Sequence, residues 1–483
     1  MSKYTNKPNQ VNANSLHKNR FSLSPQSYRE VLIPSVNYKY LKELINLKTK
    51  GFEPGSSDYI EFGNNYFIRI SEMNNDEYTF SLSKQTKKLV PQKKDIKISK
   101  GDLCYQTASN VGNVCFYEGE DAYFNSHILK LDVNEDFKYY LFAILKSSYN
   151  KEQVDIGGSI KGVDNFSEKD LYETIIPFPE DKIQSLVSIL VKNIIDKEQQ
   201  LKVKRNEIDK LVNKELNISQ TATTLPSAAE IISNSFRFDS GMYSRKFKTI
   251  KTSIENYEHG YVNIPIEKFT SGNTPKVRLF NKGIQKYKWA TPTNIKDEGF
   301  FNDVDTISMP TVNNLNKDAI MFINRTSKGG EGEYVGICAF YDYSYYGKGH
   351  HNQGIYRVED YEKEDLLFIA AFMNTTIMRT LCSKISYGSK MKEMKLIDFS
   401  QLIFPNFPEN KKNEVVTNYY CEVNASEDVT IDTYLGKEFK RNTNLGIFQL
   451  NAEINALRKQ VEELIDKIIH NEDIMIHDYL SVG

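Results

Sequence analysis

The sequence lacks the features that mark several common classes of protein. Its five cysteines include no CxxC pair, and cysteine and histidine nowhere show the spacing of a metal site, which argues against a zinc or disulfide framework. No apolar run approaches the roughly 18 to 20 residues needed to cross a bilayer. Residues 1–20 show no apolar core typical of a secretion signal. We therefore expect a reduced, soluble, cytoplasmic protein with no membrane contact.

Motifs of enzymes that modify DNA are missing as well. The chain has no Asn-Pro-Pro-aromatic tetrapeptide, with which amino-methyltransferases hold the target adenine, and no glycine-rich loop after a strand for S-adenosylmethionine. The pattern GxxxxGK[ST] is also absent, which argues against ATP hydrolysis. These absences predict a protein that is not an enzyme and that has no catalytic residues, metal or cofactor of its own.

Neither sign of charge is in excess. Lys and Arg number 62 against 63 Asp and Glu, which gives a net charge of −1. Charge alone therefore does not indicate nucleic-acid binding, although a basic face can be balanced by acidic surface elsewhere. The chain does have 483 residues, of which 40% are hydrophobic and 12% aromatic. That is enough for two or three domains with cores of their own.

Two stretches have the apolar spacing of long helices that pair with another helix. In residues 181–216 apolar residues recur at steps of three and four, with Lys197 and Lys204 filling two gaps, and a second stripe closes the chain without a gap. The apolar positions are Ile183, Val187, Leu190, Ile194, Leu201, Ile208 and Leu211, then Ile447, Leu450, Ile454, Leu457, Val461, Leu464 and Ile468. This spacing predicts an antiparallel coiled coil in which the two lysines help to fix the register.

The chain before each stripe is repeated. Corresponding segments begin at Arg20 and Arg237, at Thr49 and Ser271 (each with a Gly-x-x-Pro turn), at Phe67 and Trp289, at Tyr140 and Leu366, and at Gly157 and Tyr387. The offset between them grows along the chain, as loop insertions in a duplicated unit would make it do. Each copy is rich in short aromatic and β-branched strands, followed by helices near residues 137–149 and 363–383. The acidic segment 421–444 interrupts the second helical region and has no counterpart in the first half.

Several motifs in these copies carry a resemblance to a known family. They are Phe269-Thr270-Ser271-Gly272-Asn273-Thr274-Pro275, residues 289–297, Gly101-Asp102-Leu103, Asn352-Gln353-Gly354-Ile355, and Gly157-Gly158-Ser159-Ile160 with Ile176-Pro177-Phe178-Pro179. Together they resemble the DNA-specificity subunit of type I restriction–modification systems, over roughly residues 20–216 and 237–470. The first copy departs from the family pattern at Phe52-Glu53-Pro54 and at Asn125-Ser126-His127.

The resemblance implies an α+β fold with two similar α/β target-recognition domains separated by two long helices, which form an antiparallel coiled coil. The implied parts are a flexible N-terminal segment (1–19), target-recognition domain 1 (20–180), a central conserved helix (181–216), a linker (217–236), target-recognition domain 2 (237–409) and a C-terminal conserved helical region (410–483).

The resemblance also implies a non-catalytic subunit that recognises a bipartite, asymmetric sequence in double-stranded DNA. The helix pair would set the spacer between the half-sites and dock two DNA adenine methyltransferase subunits, and restriction-translocase subunits indirectly. S-adenosylmethionine would be bound by the methyltransferase and not by this chain.

Polar loops next to strands are the candidates for DNA contact, because amides and hydroxyls read base edges while cations neutralise phosphates. The candidate segments are residues 105–110, 324–330 and 345–352, together with a lysine-rich stretch near residue 87. The predicted DNA-binding residues are Lys84, Lys87, Gln106, Thr107, Ser109, Asn110, Arg325, Ser327, Lys328, Lys348, His350 and Asn352. Each could equally belong to an ordinary solvated surface. For the adjacent pair His350-His351 a metal site is the least favoured interpretation, since neighbouring side chains seldom point together.

Two alternatives remain open. One is a chain with its own methyltransferase or nuclease activity, against which the missing motifs argue. The other is a coiled-coil scaffold that binds protein only, which predicts no footprint on any DNA duplex.

Overall fold

The computed structural model describes residues 3–6, 10–18, 28–83, 86–92, 96–159, 168–218, 226–233, 240–274, 287–302, 305–307, 314–326, 334–388 and 391–480. The predicted residues Lys84, Ser327 and Lys328 lie outside these ranges. Two compact units divide the chain. The first comprises Met1–Gln199, Asn424–Thr443 and Glu453–Gly483, and the second comprises Gln200–Val423 and Asn444–Ala452.

The first unit is built mainly from short strands. They are β1 (Thr5–Asn6), β2 (Glu30–Val31), β3 (Tyr38–Tyr40), β4 (Ile45–Lys50), β5 (Tyr59–Ile60), β6 (Tyr66–Ile68), β7 (Thr79–Phe80), β8 (Lys87–Leu89), β9 (Lys97–Ile98), β10 (Leu103–Gln106), β11 (Val114–Tyr117), β12 (Ala122–Phe124), β13 (Ile128–Val133) and β14 (Ile175–Pro177). Two five-stranded sheets result, in the orders β4-β13-β10-β11-β7 and β5-β8-β6-β12-β9, and β3 pairs with β14.

The core of the first unit lies between its two sheets. Side chains alternate between the two faces of a strand, so every second residue of each sheet can face the other sheet. Cys104 and Cys115 from one sheet and Ile68, Ile98 and Phe124 from the other belong to one buried cluster. The helices in this part of the chain are α1 (Ala13–Lys18), α2 (Lys138–Lys146), α3 (Ser148–Ser159), α4 (Glu168–Tyr172) and α5 (Asp181–Glu215), the last of which continues into the second unit.

The second unit repeats this arrangement, with fewer strands among its described residues. Its helices are α6 (Ala228–Ser233), α7 (Arg245–Glu255), α8 (Tyr343–Tyr346), α9 (Lys363–Met373), α10 (Thr376–Ile385), α11 (Leu396–Ser400) and α12 (Glu409–Tyr419). Its strands are β15 (Tyr261–Asn263), β16 (Phe269–Ser271), β17 (Tyr287–Ala290), β18 (Asp305–Ile307), β19 (Ala319–Ile323), β20 (Arg325–Thr326), β21 (Cys338–Tyr341), β22 (Gly349–His351), β23 (Ile355–Val358), β24 (Lys392–Glu393) and β25 (Ile403–Pro405).

Strand order confirms the internal repeat. The sheet β16-β23-β19-β21 of the second unit has the order of β4-β13-β10-β11 in the first. The parallel pair β17–β22 corresponds to the parallel pair β6–β12, and the antiparallel pair β15–β25 corresponds to β3–β14. The mixed fold of two similar α/β parts with long helices is therefore as the sequence predicts.

The predicted stripes lie in two long helices, α5 and α14 (Ile447–His470), and a shorter helix, α13 (Ile431–Asn442), lies within the acidic segment. All seven predicted positions of the second stripe are buried. In the first stripe Leu211 was the wrong choice: it is only half-buried, and Val212 is fully buried instead. An α-helix has 3.6 residues per turn, so a buried face drifts away from a strict heptad over several turns.

The helices α5 and α14 run antiparallel. Near the middle of α5, Glu198 accepts a hydrogen bond of 2.6 Å from the Arg458 guanidinium. Ten residues later in α5, Ile208 lines a small cavity together with Ile447, which lies eleven residues before Arg458. Contacts therefore move backwards along α14 as α5 advances, as the sequence predicts for a helix pair of this kind.

Among the helices of the described ranges, none is by itself both long and apolar enough to cross a membrane. The bent pair α9 and α10, with 72° between its two helices, meets the length and composition criteria when taken together.

Candidate nucleic-acid interface

An asparagine turn follows the second strand of the parallel pair in each unit. Asn125 Oδ1 accepts a hydrogen bond of 2.8 Å from the backbone N–H of His127. In the second unit Asn352 Oδ1 accepts one of 2.6 Å from the backbone N–H of Gly354. Asparagine favours such turns because its short side chain bonds to the backbone two residues later. The two turns therefore share one geometry, although the residues that follow each asparagine differ.

A glycine passes close to each turn. A Cβ atom on Gly51 would lie 2.2 Å from the carbonyl oxygen of Phe124, and one on Gly272 would lie 2.3 Å from the carbonyl oxygen of His351. Real side chains do not approach carbonyls so closely, so only glycine fits at either position. The Gly-x-x-Pro motif of the repeat thus exists because the backbone passes directly against the turn.

The polar loop predicted to contact DNA lies against the same turn in each unit. In the first unit the backbone N–H of Thr107 donates to the His127 carbonyl at 2.9 Å, and its hydroxyl donates to the same oxygen at 3.1 Å. In the second unit the backbone N–H of Asn324 donates to the Gly354 carbonyl at 3.0 Å. Two loops that are distant in the sequence are therefore joined at one place in each unit.

In the first unit, the directions of the strands place Lys87 next to the asparagine turn. Strands β6 and β12 are parallel and both end at the asparagine turn, whereas β8 runs antiparallel to β6 and begins there with Lys87. We call this end of the sheet, with Lys87, Thr107, Ser109, Asn110 and Asn125, the turn edge of the first unit. Lys87, Ser109 and Asn110 are exposed, and Ser109 has a positive φ of 62°.

The turn edge of the second unit consists of Asn324, Arg325 and Asn352. Arg325 is half-buried and begins the short strand β20, in which it lies opposite Glu393 of β24. Asn352 Nδ2 donates to Thr274 Oγ1 at 3.2 Å. One amide hydrogen of Asn352 is therefore engaged in holding the turn, as its carbonyl oxygen is.

Two predicted residues are buried and bond within the protein. Gln106 is 1% exposed, and its Nε2 donates to the Ala108 carbonyl at 2.8 Å. His350 is also 1% exposed, and its Nε2 lies within hydrogen-bond distance of Asn273 Oδ1, at 2.6 Å. Both side chains hold the turn edge from inside and do not present polar groups at the surface.

The pair His350-His351 lies in strand β22, so its interpretation as a solvated loop was wrong. Both side chains are buried, because this strand lies next to β17 in the sheet. Burial, followed by the positive charge of Arg357, lowers the pKa of His351 to about 3. Within the described ranges no group of three His, Cys, Asp or Glu side chains could hold a metal ion.

Lys348 is separated from the turn edge. It is exposed just before β22 begins, whereas Asn352 follows the end of that strand. Four residues of extended chain span about 13 Å. The structure therefore brings Arg325 and Asn352 into one site and leaves Lys348 at the opposite end of the strand.

Sequence reasoning missed aromatic residues near the turn edge of the first unit. Phe62 follows β5, which is antiparallel to β8 and so ends near Lys87, and it is 80% exposed. Lys97 Nζ lies 5.0 Å from the ring centre of Tyr123, on the sheet that ends at this edge. The ring of Tyr123 is itself buried, whereas an exposed ring such as that of Phe62 is suited to stacking on a base. No sequence signal separates Phe62 from a buried phenylalanine, because the adjoining strands are equally aromatic.

The match to a protein-family model agrees with the predicted family. The family described as type I restriction modification DNA specificity domain matches residues 35–210. No curated protein sequence matches the chain. Among solved structures, the S subunit of a type I restriction–modification system from M. genitalium is 12% identical, with a TM-score of 0.39, and the match covers 91% of this chain and 98% of that one. The HsdS subunit from Thermoanaerobacter tengcongensis is 13% identical, with a TM-score of 0.28, over 92% of this chain and 99% of that one. Residues 35–210 of this chain thus belong to the type I restriction modification DNA specificity domain family.

Proposed function

We propose that the whole chain is the specificity subunit of a type I restriction–modification system and reads a bipartite, asymmetric DNA sequence without catalysing a reaction. The observation that carries the proposal is the repeated turn edge. Each unit has the same close glycine and the same asparagine turn, and each surrounds them with different polar residues. A duplicated scaffold with divergent surface residues is suited to reading two different half-sites.

In this proposal the recognition domains span residues 20–180 and 237–409. The helical regions 181–216 and 410–483 set the spacer, residues 1–19 form the N-terminal segment, and residues 217–236 form the linker. A helix of 35 residues, the length of α5, is about 50 Å long. This length exceeds one turn of B-DNA, which is about 34 Å. A helix pair of that length can therefore separate two contacts by bases that neither domain reads.

The turn-edge residues divide by chemistry. Lys87 is suited to a phosphate, because a lysine neutralises charge without reading a base. Asn110 and the remaining amide hydrogen of Asn352 can bond adenine edges, and Arg325 can bond guanine with two N–H groups. Thr107 and Ser109 supply hydroxyls for either, and Phe62 supplies a ring that can stack. Gln106 and His350 would act by positioning these loops, and Lys348 would meet a phosphate away from the turn.

The partners in this proposal are double-stranded DNA, two DNA adenine methyltransferase subunits and restriction-translocase subunits. S-adenosylmethionine would be held by the methyltransferase. The faces of α5 and α14 that do not pack within their own units are the proposed docking surfaces for the methyltransferases.

The test is a genome-wide map of N6-methyladenine in a host that expresses this chain with its methyltransferase, compared with a host that lacks this chain. We expect a two-part motif with a fixed gap that disappears without the chain. Replacing residues 107–110 should change one half of the motif only, and replacing residues 324–326 should change the other. Unchanged methylation would instead favour a protein-binding scaffold, and methyl transfer by the isolated chain would show an enzyme.

A further inference from the structure

A fully buried lysine lies in α5 among acceptors from two other helices of the first unit. Lys197 is 0% exposed, and its Nζ lies 2.6 Å from Glu453 Oε2 of α14 and 3.4 Å from Glu438 Oε2 of α13. It also donates to Asn442 Oδ1 of α13. An ammonium group has three N–H donors, and three acceptors surround this one.

Other polar side chains extend this group. Arg441 of α13 donates to Glu438 Oε2 at 3.1 Å and to both carboxylate oxygens of Glu453. Asn442 Nδ2 donates to Asn193 Oδ1 of α5 at 2.9 Å. We call the set Asn193, Lys197, Glu438, Arg441, Asn442 and Glu453 the polar layer. Its two cations and two carboxylates balance one another, and every member is largely buried. Asn442 Nδ2 also donates to Asp196 Oδ2 of α5 at 2.7 Å.

Stability does not explain a polar layer at this position. Well-packed apolar side chains often replace buried ion pairs without loss of stability, because taking charges out of water offsets most of their attraction. What buried polar groups do supply in helix pairs is a single permitted register.

The apolar stripe of α14 is compatible with more than one register of α14 on α5. Its apolar stripe repeats at steps of three and four over the whole helix, so sliding α14 along α5 by seven residues brings each apolar side chain to the place of another, and sliding by three or four residues does so at about every second position. The same slides would bring a residue other than Glu453 to Lys197. The residues at these positions are Gln449, Leu450, Ala456, Leu457, Gly446 and Gln460. None is acidic, so every slide leaves Lys197 buried without a carboxylate from α14.

Contacts beside the layer tie the same turn of α5 to the first recognition domain. Glu198 accepts hydrogen bonds from the backbone N–H groups of Tyr78 at 2.9 Å and Thr79 at 3.0 Å, and from Arg458 of α14 at 2.6 Å. Helix α13, helix α14 and the segment Tyr78–Thr79 therefore all contact α5 at two consecutive residues, 197 and 198. Helix α13, which supplies half of the polar layer, belongs to the segment that the first half of the chain lacks.

We propose that the polar layer permits only one register of α14 on α5 and thereby determines which spacer length between the two DNA half-sites the protein accepts. The inference rests on the proposed function. It assigns a role to the segment 421–444: helix α13 completes the layer that fixes the helix pair.

The test uses the assembled methyltransferase complex and duplexes in which the two half-sites of its motif are separated by the natural spacer or by one or two base pairs more or fewer. The apolar variant Lys197→Met/Glu438→Leu/Arg441→Met/Glu453→Leu keeps side-chain volume without charge. We expect the wild type to methylate the natural spacer at least 100-fold faster than the others. The variant should recognise the same half-sites but lose at least tenfold of this discrimination.

Lys202→Met is the matched control, because Lys202 lies in the same helix, is exposed and lies outside both the stripe and the layer. It should keep the wild-type discrimination. A folded apolar variant with unchanged spacer discrimination would overturn the inference. If that variant does not fold, Glu453→Gln, which keeps size and removes one charge, should still lower discrimination at least threefold, and no change would again overturn it. A wild type without any two-part motif would overturn the proposed function instead, so the two failures are distinct.

Discussion

The two units differ most at the positions next to the features they share. In both units a parallel strand leads into an asparagine turn that a glycine approaches closely. The residues before the turn are Tyr123-Phe124 in the first unit and His350-His351 in the second, at matching places opposite β6 and β17. The two units thus have the same residue where the backbone geometry requires glycine or asparagine, and different residues where the backbone accepts any side chain.

A second difference concerns the helices. The polar layer, with α13 as its outer part, lies in the first unit, and the segment that contains α13 appears once in the chain. The repeat therefore covers the recognition domains, whereas the contacts that fix the helix pair are specific to one of them. In the proposed function, the duplication supplies two reading domains, and the added segment supplies α13, which completes the polar layer.

The largest expected effect tests whether the shared glycines are equivalent. Gly51→Ala and Gly272→Ala should each destabilise their own unit by about 3 kcal/mol or more, because the new Cβ would overlap a backbone carbonyl that cannot move without breaking the turn. Thermal unfolding of each variant measures this. Gly436→Ala is the control: its Cβ would meet nothing within 4 Å in α13, so it should stabilise by about 0.5 to 1 kcal/mol. A wild-type unfolding temperature for either turn variant would show that the turns are not held by close approach.

A smaller effect tests the divergent position. His351 has a pKa of about 3 in the fold, against about 6.5 in an unfolded chain. The unfolded state therefore binds a proton that the folded state does not, and stability falls as the pH falls from about 6.5 towards 3. One pKa unit is worth about 1.4 kcal/mol, so the protonation of His351 should lower the free energy of unfolding by roughly 3 kcal/mol between pH 7 and pH 4.

His351→Phe, which makes the second unit resemble the first at this position, should remove that loss. Urea unfolding midpoints at pH 7 and pH 4 measure it. His127→Gln is the control, because His127 is exposed in the first unit and should leave the acid sensitivity unchanged. Equal acid sensitivity of His351→Phe and the wild type would show that other groups cause the loss.

The smallest effect compares the cations of the two turn edges. Lys87→Ala should weaken DNA binding by the methyltransferase complex by about tenfold or less, reduce the salt dependence by about one ion, and leave the sequence preference unchanged. Arg325→Ala should weaken binding by a similar factor and also relax preference in its own half-site. Binding titrations at several salt concentrations measure both. Lys100→Ala is the control, since Lys100 lies near the start of β10, away from the turn edge. An effect of Lys100→Ala equal to that of Lys87→Ala would place the DNA elsewhere on the domain.

Much of this arrangement can be predicted from the sequence. The two helices and the repeat were predicted because helical spacing and repeated motifs are visible in the order of residues along the chain. The sequence also marked Lys197 as an unusual residue in the stripe. The sequence could not predict the partners of Lys197, because Glu438 and Glu453 lie 241 and 256 residues later in the chain. The exposure of Phe62 and the burial of His350 could not be predicted for the same reason, because the exposure of a residue depends on what packs against it.

The amino-acid sequence by itself determined which segments are helices and which segments are copies of one another, since these follow from periodicity and from the order of motifs along the chain. Tertiary structure decided that only glycine fits at Gly51 and Gly272, because the carbonyls that a side chain would meet belong to the distant residues Phe124 and His351. Tertiary structure alone decided that Gln106 and His350 are inside, that Phe62 is outside, and that Lys87 and Thr107 lie at one edge. Burial and charge pairing are properties of the space between elements, and that space exists only once distant parts of the chain have packed together.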